Sequence, residues 1–241
     1  MPSETGHARN VERFASLISF VQGYGAAYDP VNAAITVAAL QSKMTAATAG
    51  IDGVMGSLSP WKVAVNSRQD AFEGIRKLTT RVVNSFAASG ASKKAVEDAK
   101  GFKRKLDGAR AGTLTADDPN TPGDESKNNS VSQQSYTQLV EHFDNLITML
   151  DSDGNHNPNE VDLKLPALQS LSAQLKAANA DVTSTVTPLS NSRISRDAEL
   201  YADDSGLVDV AAMVKKYVKS VFGADSPQFA QISGLEFSRP R

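Results

Sequence analysis

Phe14-Ala15-Ser16-Leu17-Ile18 returns 129 residues later as Phe143-Asp144-Asn145-Leu146-Ile147. After the loop that follows, Pro30, Ile35 and Ala39-Leu40-Gln41-Ser42 return as Pro158, Leu163 and Ala167-Leu168-Gln169-Ser170, now at an offset of 128. The loop therefore absorbs a change of one residue. Further on, Ser59-Pro60 answers Thr187-Pro188, and Asn66-Ser67-Arg68 answers Asn191-Ser192-Arg193. A chain that repeats itself over this distance is expected to repeat its fold, and the copies are expected to share one plan.

That plan is helical. Val11, Phe14, Ile18 and Val21 recur at spacings of 3, 4 and 3, and Leu139, Phe143, Leu146 and Leu150 make the stripe of the second copy at spacings of 4, 3 and 4. Leu40, Met44, Ala47, Ile51, Val54 and Leu58 extend a heptad-like seam, matched by Leu168, Leu171, Leu175, Ala178 and Val182. These are periods of one helix face. Three more stripes complete the pattern: Phe72, Ile75, Thr79, Val82 and Phe86; Ala95, Ala99, Phe102 and Leu106; and Leu207, Val210, Val214, Tyr217 and Val221. No sustained alternation of period two is present, which argues against a sheet.

Asp29-Pro30 and Asn157-Pro158 place a capping oxygen before a proline and read as helix starts. Asn157 with Glu160, and Ser130 with Gln133, have capping-box spacing. Ser59-Pro60 and Thr187-Pro188 have the same form and mark either a tight turn between antiparallel helices or a sharp kink, of which the turn is the expectation. Residues 108–131, rich in Gly, Asp, Asn, Ser, Thr and Pro and net acidic, read as a flexible polar linker or a long surface loop. The expectation is an all-α protein with a first helical unit at 1–107 and a second at 132–241. Pseudo-twofold packing would join the two in one antiparallel bundle, because narrow seams bury little surface alone. A short last helix after Ser226-Pro227 and an extended tail end the pattern.

Composition removes several classes of chemistry. There is no cysteine, so disulfides, thiolate catalysis and cysteine metal sites are excluded. A net charge of −2 argues against a protein that coats nucleic acid. The polar N-terminus carries no secretory signal, and no apolar run reaches membrane-spanning length. A cytoplasmic location is the expectation, with signal-less export as the alternative.

Each chemical motif meets a plainer reading. Asp151 to Asp162 places oxygen ligands in the pattern of an EF-hand calcium loop. Yet His156 stands where glycine is needed, Pro158 where an apolar residue is needed and Asp162 where glutamate is needed, and residues 22–30 lack the ligands. The acids read as loop chemistry. Ser59-Pro60-Trp61-Lys62 has a Ser-x-x-Lys spacing but no partner segments, and it reads as a capped helix start. Gly23-Tyr24-Gly25 follows no strand and is a helix connection, not a phosphate loop. His7, His142 and His156 lack metal-ligand spacing. Trp61 reads as a packing residue, with a partner-facing anchor as the alternative.

Lys93, Lys94, Lys100, Lys103, Arg104, Lys105 and Arg110 form a basic segment that would steer toward phosphates. The plainer reading is a solvated helix face with cations near the helix C-terminus. Tyr28-Asp29-Pro30 through Ala39-Leu40-Gln41-Ser42, with Tyr217-Val218-Lys219-Ser220-Val221-Phe222-Gly223 and Ser226-Pro227, resembles a group of uncharacterised bacterial all-helical proteins with the same two-unit layout. The resemblance implies a helical fold and a bacterial source, and it brings no activity and no catalytic residues. The sequence therefore points to a non-enzymatic, cofactor-free structural or interaction module whose partner is another protein or itself. Nucleic-acid or ribosome association through the basic segment and the Arg239 and Arg241 tail is the second reading. A membrane-active bundle exposing 33–58 is the third.

Overall fold

The computed structural model describes residues 5–108 and 134–239; these contain helices and 3-10 turns and no strand. The all-α expectation holds. In the first half, α1 (Thr5–Gly23) leads through 3-10 turns at Gly25–Ala27 and Ala33–Ile35 into the long α2 (Val37–Phe72). Then come α3 (Ile75–Ala88) and α4 (Lys93–Asp107). The second half runs α5 (Tyr136–Asp153), a 3-10 turn at Val161–Leu163, the long α6 (Leu165–Tyr201), α7 (Leu207–Phe222) and α8 (Pro227–Ser233). One order of elements thus occurs twice.

Local chemistry explains the ends. Ser92 accepts from the Ala95 amide at 3.2 Å to start α4, and Ser226 accepts from the Phe229 amide at 3.1 Å to start α8, with Pro227 in its first turn. Ser135 accepts from the Gln138 amide at 3.3 Å and donates to its side-chain oxygen at 3.1 Å. The N-cap of α5 is therefore Ser135; Ser130 and Gln133 lie outside the described residues. Gly108 ends α4 at φ 72° and Gly154 follows α5 at φ 74°, both in the left-handed region that glycine enters without a Cβ clash.

Three sequence expectations are corrected. Pro30 and Pro158 do not start α-helices. The chain first makes a 3-10 turn, and α2 begins at Val37, where the Thr36 hydroxyl accepts from the Ala39 amide at 3.3 Å. Asn157 and Glu160 are likewise in loop, not a capping box. Second, Pro60 and Pro188 lie inside continuous helices rather than at turns. Each proline lacks the N–H that would bond back to residue 56 or 184. Both prolines are exposed, so water reaches the freed carbonyls. Third, with no break between Pro60 and Arg68 or between Pro188 and Arg196, the offset of 128 persists and Arg68 corresponds to Arg196, not Arg193. The stripe from Phe72 to Phe86 also belongs to two helices, because Gly74 at φ 83° separates them.

The chain has two compact units, and their boundaries cut across the two halves. The terminal unit consists of residues 5–62 with 185–239, and the central unit of 63–108 with 134–184. The expected division at 107 and 132 is thus not where the cores divide. Each long helix contributes to both units: the first part of α2 belongs with α1 to the terminal unit and its last part with α3 and α4 to the central unit.

In the terminal unit, Val11, Phe14, Leu17, Ile18 and Val21 of α1 share a core with Leu207, Val210, Ala211, Val214 and Val218 of α7. Here α2 and α6 run antiparallel, since Lys43 pairs with Glu199 at 3.1 Å and Ser57 meets Ser192 at 2.9 Å. Gly50 lets them approach closely: a Cβ there would stand 3.3 Å from the Cα of Arg196. In the central unit, Val140, Phe143, Leu146, Ile147 and Leu150 of α5 share a core with Ile75, Val82, Val83 and Phe86 of α3 and Ala99 and Leu106 of α4. Each large apolar side chain fully buried in these seams contributes about 1.5–3 kcal/mol.

Candidate functional site

The basic segment is the solvent face of α4, in the central unit. Ala99 and Leu106 are buried, while Ala95, Val96 and Phe102 pack partly against the core. Lys93, Lys100 and Arg104, spaced seven and four apart, share the outer face with Glu97 and Asp107. Lys100 binds Glu97 at 2.7 Å and Lys103 binds Asp107 at 2.5 Å. The bond from Lys100 holds the Glu97 carboxyl below the usual carboxylate range. Lys105 lies 5.8 Å from the Phe102 ring centroid. Lys93 and Lys94 stand exposed in the first turn; Arg110 lies outside the described residues. The local acids therefore occupy two of the six described cations. A hollow of about 380 Å³ beside them is lined by Glu97, Asp98, Arg104 and Lys105 together with Gly101, Phe102 and Met149, a balanced rather than a cationic wall.

The other motifs resolve into structural parts. Asp153 accepts from the Asn155 amide and side chain at 3.4 and 2.7 Å, turning the chain after α5. Asp162 receives both terminal nitrogens of Arg81, at 2.5 and 3.3 Å, and that contact depresses its pKa. Among the described residues no three His, Asp or Glu side chains are grouped to hold a metal ion. Ser59, Trp61 and Lys62 are interior positions of α2. Gly23, Tyr24 and Gly25 connect α1 to its 3-10 turn, and Tyr24 donates to the Gln228 carbonyl at 2.8 Å. Arg239 is not free for phosphate: it binds Asp203 at 3.3 Å and Asp209 at 2.9 Å, while Arg241 lies outside the described residues. No described helix is long and apolar enough to cross a membrane.

Two polar features escaped the sequence reading. The first is a clasp in the terminal unit. The buried Asn10 donates to the Ser238 carbonyl at 2.7 Å and accepts from its amide at 3.2 Å, as a paired strand would. Its amide also donates to the Tyr201 hydroxyl, which meets His7 at 2.8 Å. Arg13 donates to the Glu236 carbonyl, and Lys215 donates to the Ser233 and Leu235 carbonyls at 3.1 and 2.5 Å. Burial lowers the Lys215 pKa. The only sequence signal was one polar residue, Asn10, on the apolar stripe of α1.

The second is a difference between equivalent places. Before each long helix a buried side chain ties the loop to a carbonyl seven residues on: the Tyr28 hydroxyl donates to Ile35 at 2.7 Å, and His156 Nε2 meets the Leu163 carbonyl at 2.9 Å. In the terminal unit Tyr217 packs edge-on against Tyr28, with centroids 5.3 Å apart, and the Tyr28 phenol is pushed upward by burial and by Tyr217. In the central unit Ser85 holds the position of Tyr217. There a hollow of about 550 Å³ opens, lined by Arg81, Asn84, Ser85, Asn157, Asn159 and Glu160 among others.

Buried side-chain atoms without a hydrogen-bond partner, among the described residues, fall on Arg68, His142, His156 and Asn179. All four belong to the central unit. Both ring nitrogens of His142 are among them, and burial, aided by the nearby Lys105, holds its pKa below the ordinary imidazole value. Comparison with protein-family models, curated proteins and solved structures finds no match for the chain.

Proposed function

We propose that this chain is a non-catalytic helical interaction module whose partner is another protein or a second copy of itself. The observation that supports it most is on the long helices. Of the exposed large apolar side chains, Met55 and Val63 lie on α2 and Val186 and Ile194 on α6. Met55 is 56% exposed and Ile194 67%. Solvent-facing apolar groups on regular helices are what a docking partner covers. The basic face of α4 supports the nucleic-acid reading less, because Lys100 and Lys103 already pair with acids of the same helix.

Light scattering after size exclusion, at low and high salt, tests the reading. The expected result is an assembly, with itself or with a co-purified protein, that survives high salt and that Met55→Lys with Ile194→Lys disrupts. Nucleic acid stripped off by salt would move the function to α4. An unaccompanied single chain at every concentration, unchanged by both substitutions, would overturn the proposal.

A further inference from the structure

Neither half of this chain closes a core by itself. In the first half, α1 and the start of α2 belong to one compact unit, whereas the end of α2, α3 and α4 belong to the other. The second half is divided in the same order, within α6 between residues 184 and 185. Among the described residues, the helices of one half that meet most closely are pairs adjacent in sequence, such as α3 with α4 and α7 with α8. The contacts that build the cores join the halves: α1 meets α7 and α8, α4 meets α5, and α3 meets the turn Val161–Leu163.

The two sets of cross-half contacts are also alike. Val11, Phe14, Leu17, Ile18 and Val21 correspond to Val140, Phe143, Leu146, Ile147 and Leu150. The surfaces that receive them correspond too, with Ile75, Thr79, Val82 and Phe86 matching Leu207, Ala211, Val214 and Val218. A half therefore offers an α1-type face and an α3-type face that belong to different units. We infer that the chain is a joined pair of interlocking, self-complementary halves, and that two copies pair by reciprocal exchange, each half of one completing its cores with the complementary half of the other. Exchange makes no new interface, since every buried contact is made once with either partner. Covalent connection favours the closed single chain at low concentration through its high effective concentration.

The inference stands apart from the apolar residues of the long helices and is tested apart from them. A sequence-specific protease site is placed within 109–133, and the folded full-length protein is cut there. The cut fragments are expected to co-elute at the volume of the uncut chain with unchanged helical circular dichroism. The chain has no cysteine, so Ser19→Cys on α1 and Lys216→Cys on α7 each accept a single dye. Donor-labelled Ser19→Cys and acceptor-labelled Lys216→Cys preparations, both cut, are mixed, partly unfolded and refolded. Energy transfer is expected to appear, because α1 of one copy then packs on α7 of the other. Fragments that separate while keeping their helicity would overturn the interlocking. Fragments that stay together but refold without energy transfer would overturn exchange with a second copy.

Discussion

The terminal and central units bury corresponding apolar seams but treat their polar groups differently. In the terminal unit the interior polar side chains are engaged: Asn10 clasps Ser238, His7 meets Tyr201, and Tyr28 ties Ile35 and packs on Tyr217. In the central unit His142 has neither nitrogen bonded, His156 has one, and a hollow replaces the tyrosine pair. A buried polar atom without a partner loses its water and gains nothing in return. The lesson is that equal apolar patterns do not make equal stability. The terminal unit is therefore expected to be the firmer of the two, since the buried side-chain atoms without a partner, among the described residues, lie in the central unit.

The largest expected effect comes from the matched phenylalanines. Phe14→Ala and Phe143→Ala each remove a fully buried ring and should cost about 3–5 kcal/mol in denaturant titrations. Hydrogen exchange separates them. Phe14→Ala should loosen 207–222 in the opposite half while 75–88 stays protected, and Phe143→Ala should do the reverse. Loosening confined to the mutated half would break the comparison.

Next come the prolines inside the long helices. Pro60→Ala and Pro188→Ala restore a helix donor at an exposed position, and each should stabilise by up to about 3 kcal/mol. A loss of stability would mean that these sites are turns after all. Below them stands the clasp: Asn10→Ala leaves the Ser238 amide and carbonyl unpaired and should cost about 1–3 kcal/mol. Limited proteolysis should then cut the chain at 235–239 first.

The acid response sharpens the contrast. The His142 pKa is depressed in the folded protein, so the unfolded chain binds the proton first as pH falls. Its contribution is intact above the ordinary imidazole value of about 6.5 and is lost progressively below it. Segment-resolved hydrogen exchange should show the central unit loosening in mild acid before the terminal unit, and His142→Phe should reduce that difference. The smallest effect belongs to Lys43→Ala, which breaks a partly exposed pair with Glu199 and should change stability by about 0–1 kcal/mol.

Much of this was legible in the sequence. The stripes Val11 to Val21 and Leu139 to Leu150 are buried as their spacing requires, and Ser226-Pro227 does start a short helix. The starts at Pro30 and Pro158 and the turns at Pro60 and Pro188 misled, because a capping residue followed by proline reads the same whether the proline opens a helix, sits in a loop or interrupts a helix interior at a cost. The exchange of partners had no signature. Periodicity shows that Phe14 is buried, but corresponding faces from either half satisfy it equally well. Of the basic segment, charge was visible and pairing was not: that Lys100 and Lys103 bind Glu97 and Asp107 depends on rotamers. His142 sat beside an apolar residue, which gave its burial no clear mark.

The crossing of the halves is tested most directly by one distance in the intact chain, between spin labels on Ser19→Cys of α1 and Lys216→Cys of α7. Helices in contact have axes roughly 8–10 Å apart, so a narrow distribution at short separation, scarcely broader than the labels' own motion, is the predicted result. A long, broad distribution would show that α1 does not rest on α7, and it would contradict a terminal unit built from both halves.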